Sequence, residues 1–389
     1  MAEPPERLAW IDNLRTLVIV LVVNMHACVT YSHVGGWYVN EPPEPGLPVK
    51  IAFAFWQGHL QAFFMGLMFF LAGVFAHRSL ARRGPGPFLR DRLVRLGLPA
   101  LLYMVVIHPF MVYVLLGLPR IADRPPLAAL YGRYLTSERV LSGNGPLWFA
   151  LALLLFCAVL AGWRAVRAGT SAEPAESARA GAVAAPGSWA LVAFGALLVI
   201  STFLVRLVQP VGTDLLNFQL CYFPQYVAAF AAGVAAGKHG WLAALATARR
   251  ARVAGWLGLI GGPLLLALLV VWGGPPPADG PNLYGGGWQP RAFGFALWEQ
   301  SAGLGLGLGL LAWFHRRGNT AGRFATWLAE RAFAVYVLHA PVLVMLTLLL
   351  RPVAADPFSR TALLTATGLL ASFAVADLAK RVPGLRQIL

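Results

Sequence analysis

The chain has 389 residues, 58% of them hydrophobic and only 12% charged, with a net charge of +15. Soluble domains carry about a quarter charged residues, and the mean hydropathy of +0.65 excludes a water-soluble fold in favour of an integral membrane protein. The basic residues stand in short clusters between apolar runs, a pattern that reports membrane topology and excludes a groove for nucleic acid.

Ten apolar segments are long enough to cross a bilayer. They lie near 11–31, 52–76, 94–117, 146–163, 188–208, 219–237, 253–272, 292–314, 327–350 and 360–379. The expected fold is all-α: a polytopic membrane bundle of about ten transmembrane helices, forming a single domain over 1–389. The opening residues, MAEPPERLAW, are acidic and proline-bearing, unlike the basic start of a cleaved signal, so the first span is expected to remain. With the N-terminus inside, twenty Lys and Arg fall in inner segments and eight in outer ones. Both termini are therefore expected in the cytoplasm, with the chain in a cell inner (plasma) membrane. Residues 165–187, rich in Ala, Gly and Pro, read as a flexible cytoplasmic loop.

The first span carries Asp12, Arg15, Asn24 and His26. Eleven residues separate Arg15 from His26, three helical turns plus about 20°, so both point the same way with roughly 16 Å between them along the axis. The second span holds Gln57, His59 and Gln61, and the third His108. The third is entered through FLRDRLVRLGLPA, where Arg92 and Arg95 are helical neighbours. Arg206 lies late in the fifth span, Glu299 in the eighth, and Glu330, Arg331 and His339 in the ninth. Small residues from Gly303 to Gly309 are expected to pack helices closely. Ionisable groups at membrane depth mark functional sites facing the bundle interior. Cys28, Cys157 and Cys221 show no metal-ligand spacing, so no metal is expected.

His26 is the foremost candidate, because an imidazole titrates near neutrality and can take a proton from an attacking hydroxyl. No Gly-x-Ser-x-Gly elbow or suitably placed cysteine accompanies it, which points to direct transfer between two bound substrates. Arg92 and Arg95 are suited to clamping a phosphorylated donor, although basic residues also gather there by the positive-inside rule. Glu299 has three possible partners, His26, Arg206 and Arg331. His339 stands beside Pro341, where a carbonyl freed from the helix needs a partner, and is read as structural.

Five stretches in order resemble the acyltransferase 3 family of integral membrane proteins. They are IDNLR with its histidine at 26, FFMGLMFFLAGVF (63–75), FLRDRLVRLGLPALL (88–102), GPLWFALALLLF (145–156) and YVLHAPVL (336–343). The resemblance implies an acyltransferase, one transferring groups other than amino-acyl groups. Its cytoplasmic donor would be an acyl-CoA, acetyl-CoA or succinyl-CoA, and its acceptor a carbohydrate hydroxyl at the outer side. His26 matches the family's essential histidine and Arg15 its partner, which would help bind the donor or stabilise charge on the thioester oxygen. Arg92 and Arg95 match the donor-engaging pair, and Glu299 more loosely matches a late acidic residue. Many members have Ser-Gly where this chain has Ala72-Gly73, and the chain stops at GLRQIL without the soluble C-terminal domain of some members. YSHVGGWYVN (31–40) is similar to the branch that includes the periplasmic glucan succinyltransferase. Besides the carbohydrate acceptor, the expected partner is membrane lipid; no nucleic acid is expected, and oligomeric state is left open. The rival readings are a polytopic transporter, which predicts internal repeats that the sequence does not show, and a non-catalytic sensor or scaffold.

Overall fold

The computed structural model describes residues 8–117, 125–170, 184–274 and 283–389. Most of the loop expected at 165–187 lies at 171–183, outside the described residues. Ten long helical segments succeed one another: α1 (Ala9–Ser32), α2 (Leu47–Arg83), α3 (Pro85–Leu115), α4 (Gly145–Arg167), α5 (Ser188–Arg206), α6 (Leu220–His239), α7 (Arg249–Gly273), α8 (Pro290–Arg317), α9 (Arg323–Leu350) and α10 (Pro357–Arg381). Nine of the helices among the described residues are long and apolar enough to cross a membrane. The exception is α8, expected as a span at 292–314. It is helical over 28 residues, but Glu299, Gln300 and five glycines dilute its apolar character. Packing explains this, since α8 is flanked by α1, α2, α5 and α7 and so shows little surface to lipid. By contrast, Leu155, Val159, Trp163 and Val166 of α4 are exposed, as suits a helix facing acyl chains.

Glycines set the closest helix contacts. A Cβ on Gly233 of α6 would lie 2.0 Å from the Phe70 carbonyl oxygen of α2, and one on Gly73 would lie 2.3 Å from the Phe230 carbonyl oxygen. The glycine run in α8 divides between two neighbours. Gly303 meets the Ala62 carbonyl of α2, Gly305 and Gly309 meet α7 at Ala254 and Gly255, and Gly307 has open space. Gly233→Ala is accordingly expected to cost about 1–3 kcal/mol through overpacking, whereas Gly307→Ala should be neutral or slightly stabilising. Melting curves in one detergent test this, and equal melting of both variants would show that the α2–α6 seam yields without cost.

Several polar side chains within the spans join helices together. Asn24 donates to Thr365 of α10 at 3.2 Å and accepts from the Trp56 indole of α2 at 2.8 Å. Gln61 donates to the Tyr226 hydroxyl of α6, and Arg331 pairs with Asp377 of α10 at 2.5 Å. Asn13 of the IDNLR stretch donates to the carbonyls of Gly318 and Thr320, tying the start of α1 to the α8–α9 connection.

The third span is irregular, with π-helical turns at Leu93–Gly97, Tyr103–Ile107 and Phe110–Leu115. Pro99 and Pro109 supply the cause, since each lacks the N–H that an α-helix needs and its ring crowds the carbonyl four residues back. The carbonyl that Pro109 frees, Val105, accepts instead from the Tyr131 hydroxyl, and Met104 accepts from Tyr134 at 2.7 Å. Both tyrosines belong to the short helix Leu127–Leu135, which thereby docks on α3.

Candidate functional site

His26 stands in the last third of α1, and the segment that follows the helix folds back over it. Trp37 of that segment stacks on the His26 imidazole with ring centroids 3.7 Å apart and planes 14° from parallel. His339 of α9 is the other ring neighbour, 5.2 Å from His26 and 6.2 Å from Trp37, with planes again close to parallel. Together these distances place Trp37 above the face of His26 and His339 beside its edge, so the two imidazoles are nearly coplanar. His339 Nδ1 lies 2.8 Å from the Tyr336 carbonyl. A carbonyl only accepts, so Nδ1 carries the proton and Nε2 the lone pair. That Nε2 is buried without a hydrogen-bond partner among the described residues, and so is His26 Nδ1.

The segment is held at several points. Glu41, almost fully buried, receives Arg351 from the end of α9 through contacts of 2.8–3.2 Å. Its backbone N–H donates to the Thr30 carbonyl, and its carbonyl accepts from His33 Nε2 at 2.9 Å. Gln57 of α2 donates to the Val34 carbonyl at 3.1 Å. Next to Trp37, the Tyr38 hydroxyl contacts the Tyr103 hydroxyl at 3.1 Å and His108 Nδ1 at 3.0 Å. Burial pushes the Tyr38 phenol well above its ordinary range, so this hydroxyl keeps its proton and can donate it in one of these contacts. Gly145, the first residue of GPLW, adopts a left-handed φ of 47°, and a Cβ there would come 2.5 Å from the Tyr38 hydroxyl. The adjoining Pro146 carbonyl accepts from Tyr336 at 2.5 Å. The aromatic wall of the site is thus built from α1, α3, α4, α9 and the 33–46 segment.

Towards the other end of α1, Arg15 keeps 47% of its side chain accessible and has Asp12 only as a distant partner, at 3.9 Å. Arg92 makes no ion pair among the described residues; its guanidinium lies over the Phe88 ring at 5.2 Å and its Nε is buried without a partner. Arg95 goes elsewhere. It bonds Asp91 at 3.0 Å, which also holds Arg83 at 3.1 Å, and its side chain is 62% exposed. The π turn beginning at Leu93 is the reason, because its wider winding carries Arg95 off the face of Arg92. The structure therefore separates Arg95, held by Asp91, from Arg92.

Glu299 takes one of its three possible partners. It accepts from Arg206 Nη2 at 2.6 Å and from Gln300 Nε2 at 2.9 Å, with both members of the ion pair buried. The Arg206 guanidinium also lies over the rings of Tyr222 and Phe295, at 5.3 and 5.6 Å. Neither His26 nor Arg331 is bonded to Glu299, so its position is that of a partner to Arg206, in a centre separate from the imidazoles.

Sequence reasoning missed Trp37, Tyr38, Tyr103 and the placement of His339. Residues 31–40 did carry a signal, an aromatic cluster directly after the most functional-looking helix, but pairing it with α9 requires the fold. The Tyr336 bond satisfies one His339 nitrogen, as a structural role would demand, but leaves the other facing the site.

Compared with known proteins, residues 8–377 match a family model described as an acyltransferase domain. No curated protein and no solved structure matches the chain.

Proposed function

Because the chain belongs to the acyltransferase 3 family and is a multi-pass membrane acyltransferase, we propose that it moves an acetyl or succinyl group from a cytoplasmic acyl-CoA to a hydroxyl of an envelope or extracellular carbohydrate. In this reading both termini are cytoplasmic, the membrane is the cell inner (plasma) membrane, and the 33–46 segment lies on the outer side. The observation that carries it is the division of α1 between two kinds of site. At one end Arg15 has Asp12 no nearer than 3.9 Å and Arg92 has no ion pair among the described residues, while His26 stands near the other with a nitrogen that has no partner among those residues.

Arg15, held only loosely by Asp12, and Arg92, with no ion pair among the described residues, carry guanidinium groups that suit the phosphates of a coenzyme A thioester. The acyl-pantetheine arm would then extend along α1 towards His26. There His26 removes the proton of the acceptor hydroxyl, whose oxygen bonds to the thioester carbon as the carbon–sulfur bond breaks. The departing thiolate recovers the proton from the imidazolium. Trp37 and its neighbours limit water at the reacting carbon, which favours transfer over hydrolysis.

Incubation of membranes containing the protein with radiolabelled acetyl-CoA or succinyl-CoA and native envelope glycans tests the reading. Labelled, base-labile glycan ester is expected with one of the donors, and its absence with both removes the proposed donor class. The arginines separate within the same assay. Arg92→Ala should raise the donor KM about tenfold or more, while Arg95→Ala, which loses only an exposed pair with Asp91, should change it less than threefold. The reverse order would restore Arg95 as the donor residue.

A further inference from the structure

We propose that His339 is a positioning residue that accepts a hydrogen bond from His26 Nδ1–H and thereby holds the other nitrogen of His26, Nε2, as the base. The inference rests on the reading of His26 as the base. Four observations carry it. The two imidazoles lie within 19° of parallel at 5.2 Å between centroids, a separation that spans one hydrogen bond of about 3 Å once a nitrogen of each ring is turned towards the other. His26 Nδ1 and His339 Nε2 are both buried and without a partner among the described residues. The Tyr336 carbonyl holds the proton of His339 on Nδ1, so that Nε2 can only accept. His26 Nε2, in contrast, is not among the buried unpartnered atoms, and the residue as a whole is only half-buried, as a group that meets substrate must be.

The resulting chain runs from the Tyr336 carbonyl to His339 Nδ1–H, from His339 Nε2 to His26 Nδ1–H, and from His26 Nε2 to the acceptor hydroxyl. As that hydroxyl gives up its proton, His26 becomes an imidazolium whose Nδ1–H points at a lone pair, and the positive charge is shared with the second ring. No metal, redox partner or further reactant enters. The logic is that of a base whose far nitrogen is oriented by a third group. Here the orienting group is neutral, which suits a bundle interior where an unpaired carboxylate would be costly. Trp37 contributes by fixing the plane of the His26 ring.

Two substitutions separate this role from a structural one. His339→Gln places an amide oxygen near the former Nε2 and can still accept from His26. His339→Asn places its amide near the former Nδ1, so it keeps a donor for the Tyr336 carbonyl but leaves His26 Nδ1 without an acceptor. The expected result is that His339→Asn lowers kcat about 100-fold or more with the donor KM unchanged, while His339→Gln retains activity within about tenfold. A structural role predicts the opposite order, and an Asn variant with normal kcat overturns the proposal. A second measurement does not depend on either variant accumulating. In 15N-histidine-labelled wild-type protein, the His26 resonances, identified by their loss in His26→Gln, should report the Nδ1–H tautomer; an Nε2–H tautomer overturns the proposal. Failure of the underlying reading looks different: His26→Gln itself would then remain active.

Discussion

Membranes carrying His26→Gln are expected to transfer acyl groups about 10²–10⁴ times more slowly than wild type at equal folded level, with donor binding unchanged. Glutamine approximates the length and polarity of the imidazole and can lie beneath Trp37, but it takes no proton in the accessible pH range. What disappears is the transfer of the hydroxyl proton, whereas the cationic end of α1 is untouched. The ester-forming assay with labelled donor measures the rate, and a coenzyme A competition measurement monitors donor binding. A large fall in rate with undiminished competition assigns the loss to chemistry. Normal turnover would remove His26 from the mechanism and leave the family's activity to be placed elsewhere in the bundle.

The second large effect concerns Arg206 and Glu299. Their pair is buried and hydrogen-bonded, so removing one member strands the other charge in a poorly solvating interior. Glu299→Leu or Arg206→Met alone should therefore destabilise the protein by about 3–5 kcal/mol. The double variant Arg206→Met/Glu299→Leu should recover most of that loss, because it leaves no unpaired charge. Thermal unfolding in detergent gives the three stabilities, and the transfer assay on the double variant decides the rest. If Glu299 acts only through Arg206, the double variant turns over at close to the wild-type rate. A folded but inactive double variant would return Glu299 to the chemistry, the role that its loose family match implies.

Much of this was legible in the sequence where chemistry and periodicity coincide. Arg15 and His26 share one helix, so their spacing alone determined their relation. Apolar length located the helices, with α8 recognised as a helix although Glu299, Gln300 and its glycines lower its hydropathy. The glycine run was rightly expected to pack closely, but its division between α2 and α7 depends on neighbours that no local pattern names. Arg92 and Arg95 were paired on α-helical geometry, which the π turn at Leu93–Gly97 does not obey. Pro99 stood in plain sight, yet a proline announces a disturbance without saying which way the winding will relax. His339 was the hardest to read. Its distance from His26 in sequence hides the contact, and the nearby Pro341 offered a sufficient local reason for a polar side chain. In the fold, its bond goes to the Tyr336 carbonyl rather than to the Val337 carbonyl that Pro341 frees.

The clamp between Glu41 and Arg351 joins residues 310 positions apart. A chain emerging from the ribosome therefore presents His26 and Trp37 early, but gains their anchor and the second imidazole only when the ninth helix has been made. An unfinished polypeptide in the bilayer already holds Arg15 and Arg92 but lacks both Arg351 and His339. On the proposed mechanism, a chain cut short before α9 is therefore expected to lack transfer activity.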